Sequence, residues 1–166
     1  HLSIRRQRQM CIRDRLLPHC QQEHSASCLA ACVRMLLAFW KVEVLESDLR
    51  RILRVKPFSG AHPISLMYLS ELGFRGWSHF ATLTDLKERI GSGLPCIVFL
   101  WTGCLSHFAD TEGVDYLHAV VVVGFSATGV LVHDPKLSYG PIEIPLTEFE
   151  EAWQYSRQLI AVVERA

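Results

Sequence analysis

Four consecutive valines, Val120–Val123, sit inside the run Tyr116–Phe125. A run of this kind has no polar face, so it reads as a β-strand buried on both sides. Packed layers must cover it above and below, and the rest of the chain has to supply them. Cys96–Trp101, behind Pro95, reads as a second buried strand. Ser126-Ala127-Thr128-Gly129 reads as a hairpin loop after which Val130–His133 returns as a partner strand. Ile142–Leu146 and Gln158–Glu164 add two more. Between these, Thr147-x-x-Glu150 is a capping-box pattern before a short helix reaching Trp153.

The first half has a different texture. Ser27 stands as an N-cap before Cys28–Trp40, where Leu29, Cys32, Val33, Leu36 and Trp40 fall at helical spacing. Glu46–Val55 repeats the pattern through Leu49, Ile52 and Leu53, with Arg50, Arg51 and Arg54 on the other side. Pro63 opens Ile64–Leu72 and Gly73 closes it. Thr84 is placed to cap Asp85–Ile90, which ends at Gly91. Helices followed by mostly antiparallel strands predict an α+β fold, a helical N-terminal half packed on a sheet.

Length and composition narrow the function classes. The chain has 166 residues, 49% hydrophobic and 20% charged, which fits one folded domain and excludes a disordered chain. Its longest apolar runs are too short to cross a bilayer, and the first fifteen residues hold no apolar stretch of secretory type. Six cysteines are too sparse for a disulfide scaffold and suggest a reduced, cytoplasmic setting. A formal net charge of zero lacks the basic footprint of a nucleic-acid binder.

That zero is a composite. His1–Arg15 holds five arginines and one aspartate, without a helical or strand period. It could serve as a basic arm for an anionic partner or be a disordered tail. The string RQRQMCIRDR also resembles translated sequencing-adapter read-through, so the segment is read as non-native or disordered. Residues 16–166, read as the single domain, carry a net charge of −4.

Four separated residues carry candidate chemistry. Cys28 follows a polar residue at the start of the longest helix, where the macrodipole favours a thiolate. Six residues upstream, Gln22 could offer a side-chain N–H to the oxyanion of an acyl intermediate, with the Cys28 backbone N–H as the second donor. His118 interrupts an apolar run, and a buried imidazole needs a partner. It is the candidate general base. Asp134, before Pro135 at the end of the returning strand, falls within a few residues of His118 if the hairpin pairs, and could fix its tautomer. Taken singly, each has a plainer reading: a small buried cysteine, a core histidine, a turn-forming Asp-Pro.

The ordered set resembles the papain-like cysteine peptidases. More closely, it is similar to the bacteriocin-processing family that cleaves leader peptides after a double glycine. The resemblance lies in Gln22 with Cys28 six residues on, in His118-Ala119-Val120-Val121-Val122-Val123-Gly124, and in Asp134-Pro135 followed by Gly140, Phe149 and Trp153. It spans Pro18 to Glu164. It implies a peptidase using Cys28, His118, Asp134 and Gln22 without a cofactor, acting on a peptide or protein substrate. Family members often form the N-terminal part of a membrane exporter. No span occurs in this chain, so a stand-alone enzyme or a fragment is expected, with an exporter as a possible associate. Ser27 and Leu29 replace the family's usual Asp and Gly beside the nucleophile, and Leu29 crowds the surface next to the thiol.

Rival readings remain at this level. Cys20, His24, Cys28 and Cys32 recur at four-residue steps, but structural zinc wants a second ligand pair, and none is evident. Cys28 and Cys32 as a redox pair have the wrong spacing. A non-catalytic peptide-binding module on the same fold is the alternative, and amide transfer or deamidation could use the same triad. Trp40, Trp77, Trp101 and Trp153 read as core or rim packing rather than a substrate groove. His107, Asp110, Glu112 and Asp115 read mostly as a solvated loop bordering the site.

Overall fold

A computed structural model describes residues 17–109 and 113–166. The expectation for His1–Arg15 lies outside these residues. The chain order is α1 (Cys28–Phe39), α2 (Glu46–Ile52), a 3-10 segment (Pro63–Leu72), β1 (Phe74–Phe80), α3 (Leu83–Gly91) and β2 (Cys96–Trp101). Short 3-10 turns at Thr102–Cys104 and Ser106–Phe108 lead to β3 (Leu117–Phe125), β4 (Gly129–His133), β5 (Ile142–Pro145), α4 (Leu146–Gln154) and β6 (Leu159–Arg165). The strands form one antiparallel sheet in the order β1-β6-β2-β3-β4-β5. The α+β layout expected from the sequence is the one found.

Every residue of β3 from His118 to Phe125 is buried, as a run without a polar face demands. Helices α1 and α3 pack on β3, and α4 packs on β2. The buried stripe of α1 includes Leu29, Cys32, Val33 and Leu36, the residues at helical spacing.

Local details differ from the sequence reading, each for a stated reason. Thr82, not Thr84, caps α3: its side chain accepts from Asp85 N while Asp85 accepts from Thr82 N, closing a capping box two residues earlier. Thr147 lies inside α4, whose N-cap is Pro145, so the expected box at Thr147 does not form. Instead Leu146 N–H donates to Thr128 O at 3.1 Å, tying the helix start to the hairpin loop. Ser27 occupies the N-cap of α1 without capping it. Its hydroxyl turns back to donate to His24 O at 2.9 Å and accept from His24 N at 3.1 Å, locking the preceding turn. The Pro63–Leu72 segment is 3-10 and ends at Gly73, whose φ of 78° needs a residue tolerant of the left-handed region.

Candidate active site

The site begins with a register. At the hairpin loop Phe125 faces Val130, but a bulge between Val122 and Gly124 shifts the pairing, so that His133 faces Val121. Carried one residue further, Asp134 falls opposite Val120, on the side-chain face that Val120 shares with His118. Without the bulge, His133 would face Val122 and Asp134 would fall on the other face. One extra residue in β3 thus brings acid and imidazole together.

The contact is direct. His118 Nε2 donates to Asp134 Oδ1 at 2.6 Å, and both side chains are fully buried. Asp134 Oδ1 also accepts Lys136 N–H at 2.9 Å. His107, on the Ser106–Phe108 turn, donates Nε2–H to the other oxygen, Oδ2, at 2.7 Å. The carboxylate fixes the Nε2–H tautomer of His118 and leaves Nδ1 with its lone pair, in contact with Cys28. Phe108 and Tyr116 stand edge-on to the His118 ring, at 5.2 Å and 5.8 Å between centroids, and shield it from water.

Electrostatics follow from these neighbours. Burial works against ionisation of Cys28, but the His118 ring, as hydrogen-bond partner and as charge, outweighs it. Backbone hydrogen bonds at Ala119 and Leu29 help, and the thiol is held below its ordinary pKa. For His118, burial disfavours the charged ring, yet Asp134 and Cys28 overcome it and raise the pKa to about 9. Burial likewise opposes the Asp134 carboxylate, but hydrogen bonds from His107 and His118, the His118 charge and Lys136 N–H bring it well below the usual range. All three shifts favour the ionised forms, with the carboxylate behind the ring. The other described cysteines go the opposite way: burial raises Cys20, Cys32 and Cys104, and pushes Cys96 to about 12.

Gln22 lies on the loop before α1 and is tied to the acid's turn, its N–H donating to Pro135 O at 2.7 Å. Its side-chain Nε2 donates to His24 O at 2.7 Å and Ser25 O at 3.1 Å, while Oε1 is buried without a partner. Both amide hydrogens are therefore held by carbonyls of their own loop. Further ties hold this segment. His19 Nε2 donates to Leu137 O at 2.6 Å, His133 Nε2 donates to Leu17 O at 3.0 Å, and both oxygens of the buried Glu46 accept Glu23 N–H at 3.1 Å. Glu46 escaped the sequence reading, and His107 is read there only as part of a solvated loop bordering the site. A helix-start glutamate and a loop histidine carry no local signal of burial.

Gly140 closes the same corner. A Cβ there would lie 2.5 Å from His133 Nδ1 and 2.8 Å from His19 Nδ1. Gly140→Ala should therefore destabilise the protein by about 1–3 kcal/mol through overpacking, read as a lower urea midpoint.

A cleft of about 820 Å³ opens beside the thiol. Cys28, Leu29, Phe99, Leu117, Ala119 and Leu159 are among its walls, with Arg54 and Lys56 also lining it. Leu29 is buried and is among the residues lining this cleft. No tryptophan lines the cleft. Trp153 is in the core, Trp40 donates to Val163 O, Trp101 stacks on Tyr155, and Trp77 lies under the Arg75 guanidinium. Of the cysteines at four-residue steps, Cys32 is buried and donates to Ala119 O. Among the described residues no group of three or more His, Cys, Asp or Glu is arranged to hold a metal ion.

The family model described as the peptidase C39 family matches residues 17–165. The chain belongs to this family. It is a cysteine-type peptidase with the papain-like fold expected from the sequence. No curated protein matches it by sequence. Among solved structures it is similar to a double glycine motif protease from an AMS/PCAT transporter in complex with the leader peptide. That match has 20% identity, a TM-score of 0.70 and 94% coverage of each chain. The peptidase domain of Streptococcus ComA, a bifunctional ABC transporter of a quorum sensing pathway, matches at 18% identity and TM-score 0.69, over 89% of this chain and 98% of that one. A C39-like peptidase from Bacillus anthracis matches at 19% and 0.69, over 90% and 96%. Among the described residues no helix of the peptidase is long and apolar enough to cross a membrane.

Proposed function

We propose that the peptidase cleaves its substrate through Cys28, His118 and Asp134, with Gln22 and the Cys28 backbone N–H binding the oxyanion. The observation that carries this is the 2.6 Å His118–Asp134 hydrogen bond, which leaves Nδ1 to the thiol at the cleft wall. The thiolate attacks the scissile carbonyl and the imidazolium returns its proton to the leaving amine. Water, deprotonated by the same ring, then releases the acyl group. The Cys28 N–H is at the first position of α1, where the helix supplies no acceptor. Gln22 must turn one amide hydrogen from His24 O or Ser25 O to the oxyanion, a charged and therefore stronger acceptor.

The substrate we propose is a peptide with small residues at the cut, processed as a leader ending in two glycines. Leu29 is among the residues lining the cleft beside the thiol, and the transporter protease bound to a leader peptide supports the class. Service to an exporter on the cytoplasmic side is part of the same proposal and draws on the transporter relatives.

The test needs no knowledge of the natural substrate. With iodoacetamide at pH 6.5, Cys28 should alkylate at least about tenfold faster than Cys20, Cys32, Cys96 or Cys104, because only its thiol is lowered. Peptide mapping by mass spectrometry gives the rates. Equal rates would point to a binding module on this fold. A synthetic leader ending in Gly-Gly, fused to a short cargo, should be cut after the second glycine.

A further inference from the structure

The Ser106–Phe108 turn contributes something the triad alone does not. Its backbone is set by Phe108 N–H donating to Leu105 O at 3.0 Å and by Ser106, whose hydroxyl donates to Glu148 Oε2 at 3.1 Å. Phe108 packs inward, buried, with its edge against His118 and the Lys136 ammonium 5.5 Å from its ring centre. His107 beside it reaches Asp134 Oδ2. The carboxylate is fully buried, and its hydrogen bonds divide unequally. Oδ1 takes His118 Nε2–H and Lys136 N–H, whereas Oδ2 takes His107.

We propose that His107 is a positioning residue of this site, holding Asp134 so that the carboxylate keeps His118 aimed at Cys28. The inference rests on the triad reading above. A buried carboxylate oxygen without a donor is costly, and the carboxyl group can rotate about its Cβ–Cγ bond to find another partner. That rotation would carry Oδ1 away from His118 Nε2. His107 prevents it by occupying Oδ2. His107 does not line the cleft and touches neither the thiol nor the space for substrate, so it acts only through Asp134.

The experiment compares wild type, His107→Ala and His107→Gln, with two readouts that need no substrate. One is the iodoacetamide alkylation rate of Cys28 at pH 6.5. The other is the downfield proton resonance expected from the short His118–Asp134 hydrogen bond. Losing a hydrogen bond to a charged group should slow alkylation about tenfold or more in His107→Ala and shift or broaden that resonance. His107→Gln keeps an N–H donor of similar reach and should restore most of the rate and the resonance. Two results overturn the inference: a His107→Ala protein that alkylates as fast as wild type, or equal loss in both variants with the resonance unmoved. A wild-type Cys28 no faster than the other cysteines would instead overturn the triad reading on which this rests.

Discussion

Cys28→Ala is expected to abolish hydrolysis, lowering kcat by about 10⁶-fold, the scale set by losing the nucleophile of a three-residue catalytic unit. No other described cysteine lines the cleft to replace it. Of the other described cysteines, Cys32 and Cys96 are wholly buried, burial also raises Cys20 and Cys104, and none of the four lines the cleft. The fold should survive, because the buried stripe of α1 is built from Leu29, Cys32, Val33 and Leu36 and not from Cys28. The loss is therefore chemical rather than structural. Product formation by mass spectrometry, beside an unchanged far-ultraviolet circular dichroism spectrum, checks both halves. Hydrolysis retained above about a hundredth of wild type would remove Cys28 as nucleophile.

How far the sequence reveals this site depends on whether a signal is local. His118 stands out because a polar ring in an all-apolar run must have a partner, and Cys28 because it starts a helix. The partner of His118 is another matter. Asp134 has the look of an Asp-Pro turn, and whether it reaches the imidazole depends on one bulge residue in β3, which four identical valines cannot reveal. Gln22 stands out by its spacing from Cys28, but the two carbonyls that hold its amide carry no local signal. His107 and Glu46 reach their partners only through tertiary contacts, so composition and periodicity do not mark them. The strand β1 was missed for a related reason. It is an edge strand whose residues are mostly half-exposed, so Phe74–Phe80 shows no clean alternation. Its glycine, Gly76, argues against a strand by propensity, yet packing requires it: a Cβ there would lie 2.6 Å from Leu66 O.

Asp134→Asn is expected to lower kcat by about 10³–10⁴-fold while leaving Cys28 available to alkylation. An asparagine presents one oxygen and one NH₂. If its oxygen serves His118 Nε2–H and Lys136 N–H, its NH₂ meets the His107 donor, and one of the two must turn away. If its NH₂ faces His118, the ring must take the Nδ1–H tautomer and present a hydrogen rather than a lone pair to the thiol. Either arrangement also removes the negative charge that, with the thiolate, overcomes burial and keeps His118 protonated up to about 9. The rate profile of the wild type should accordingly fall on its alkaline side near pH 9, and in the variant that limb should move toward 6.5. Stability carries the same signature. A folded pKa raised above the unfolded 6.5 contributes stability that is complete below pH 6.5 and is lost as pH rises through about 9. The Asp134 pKa is depressed, so its contribution is present above about 3.9 and is lost as pH falls below it. The lowered Cys28 thiol works the other way over the alkaline range, so the change to read is the acidic one: wild-type urea midpoints should decline below about pH 4, and that decline should shrink in Asp134→Asn. An alkaline limb in the variant that matches wild type would show that Asp134 does not hold the proton on His118.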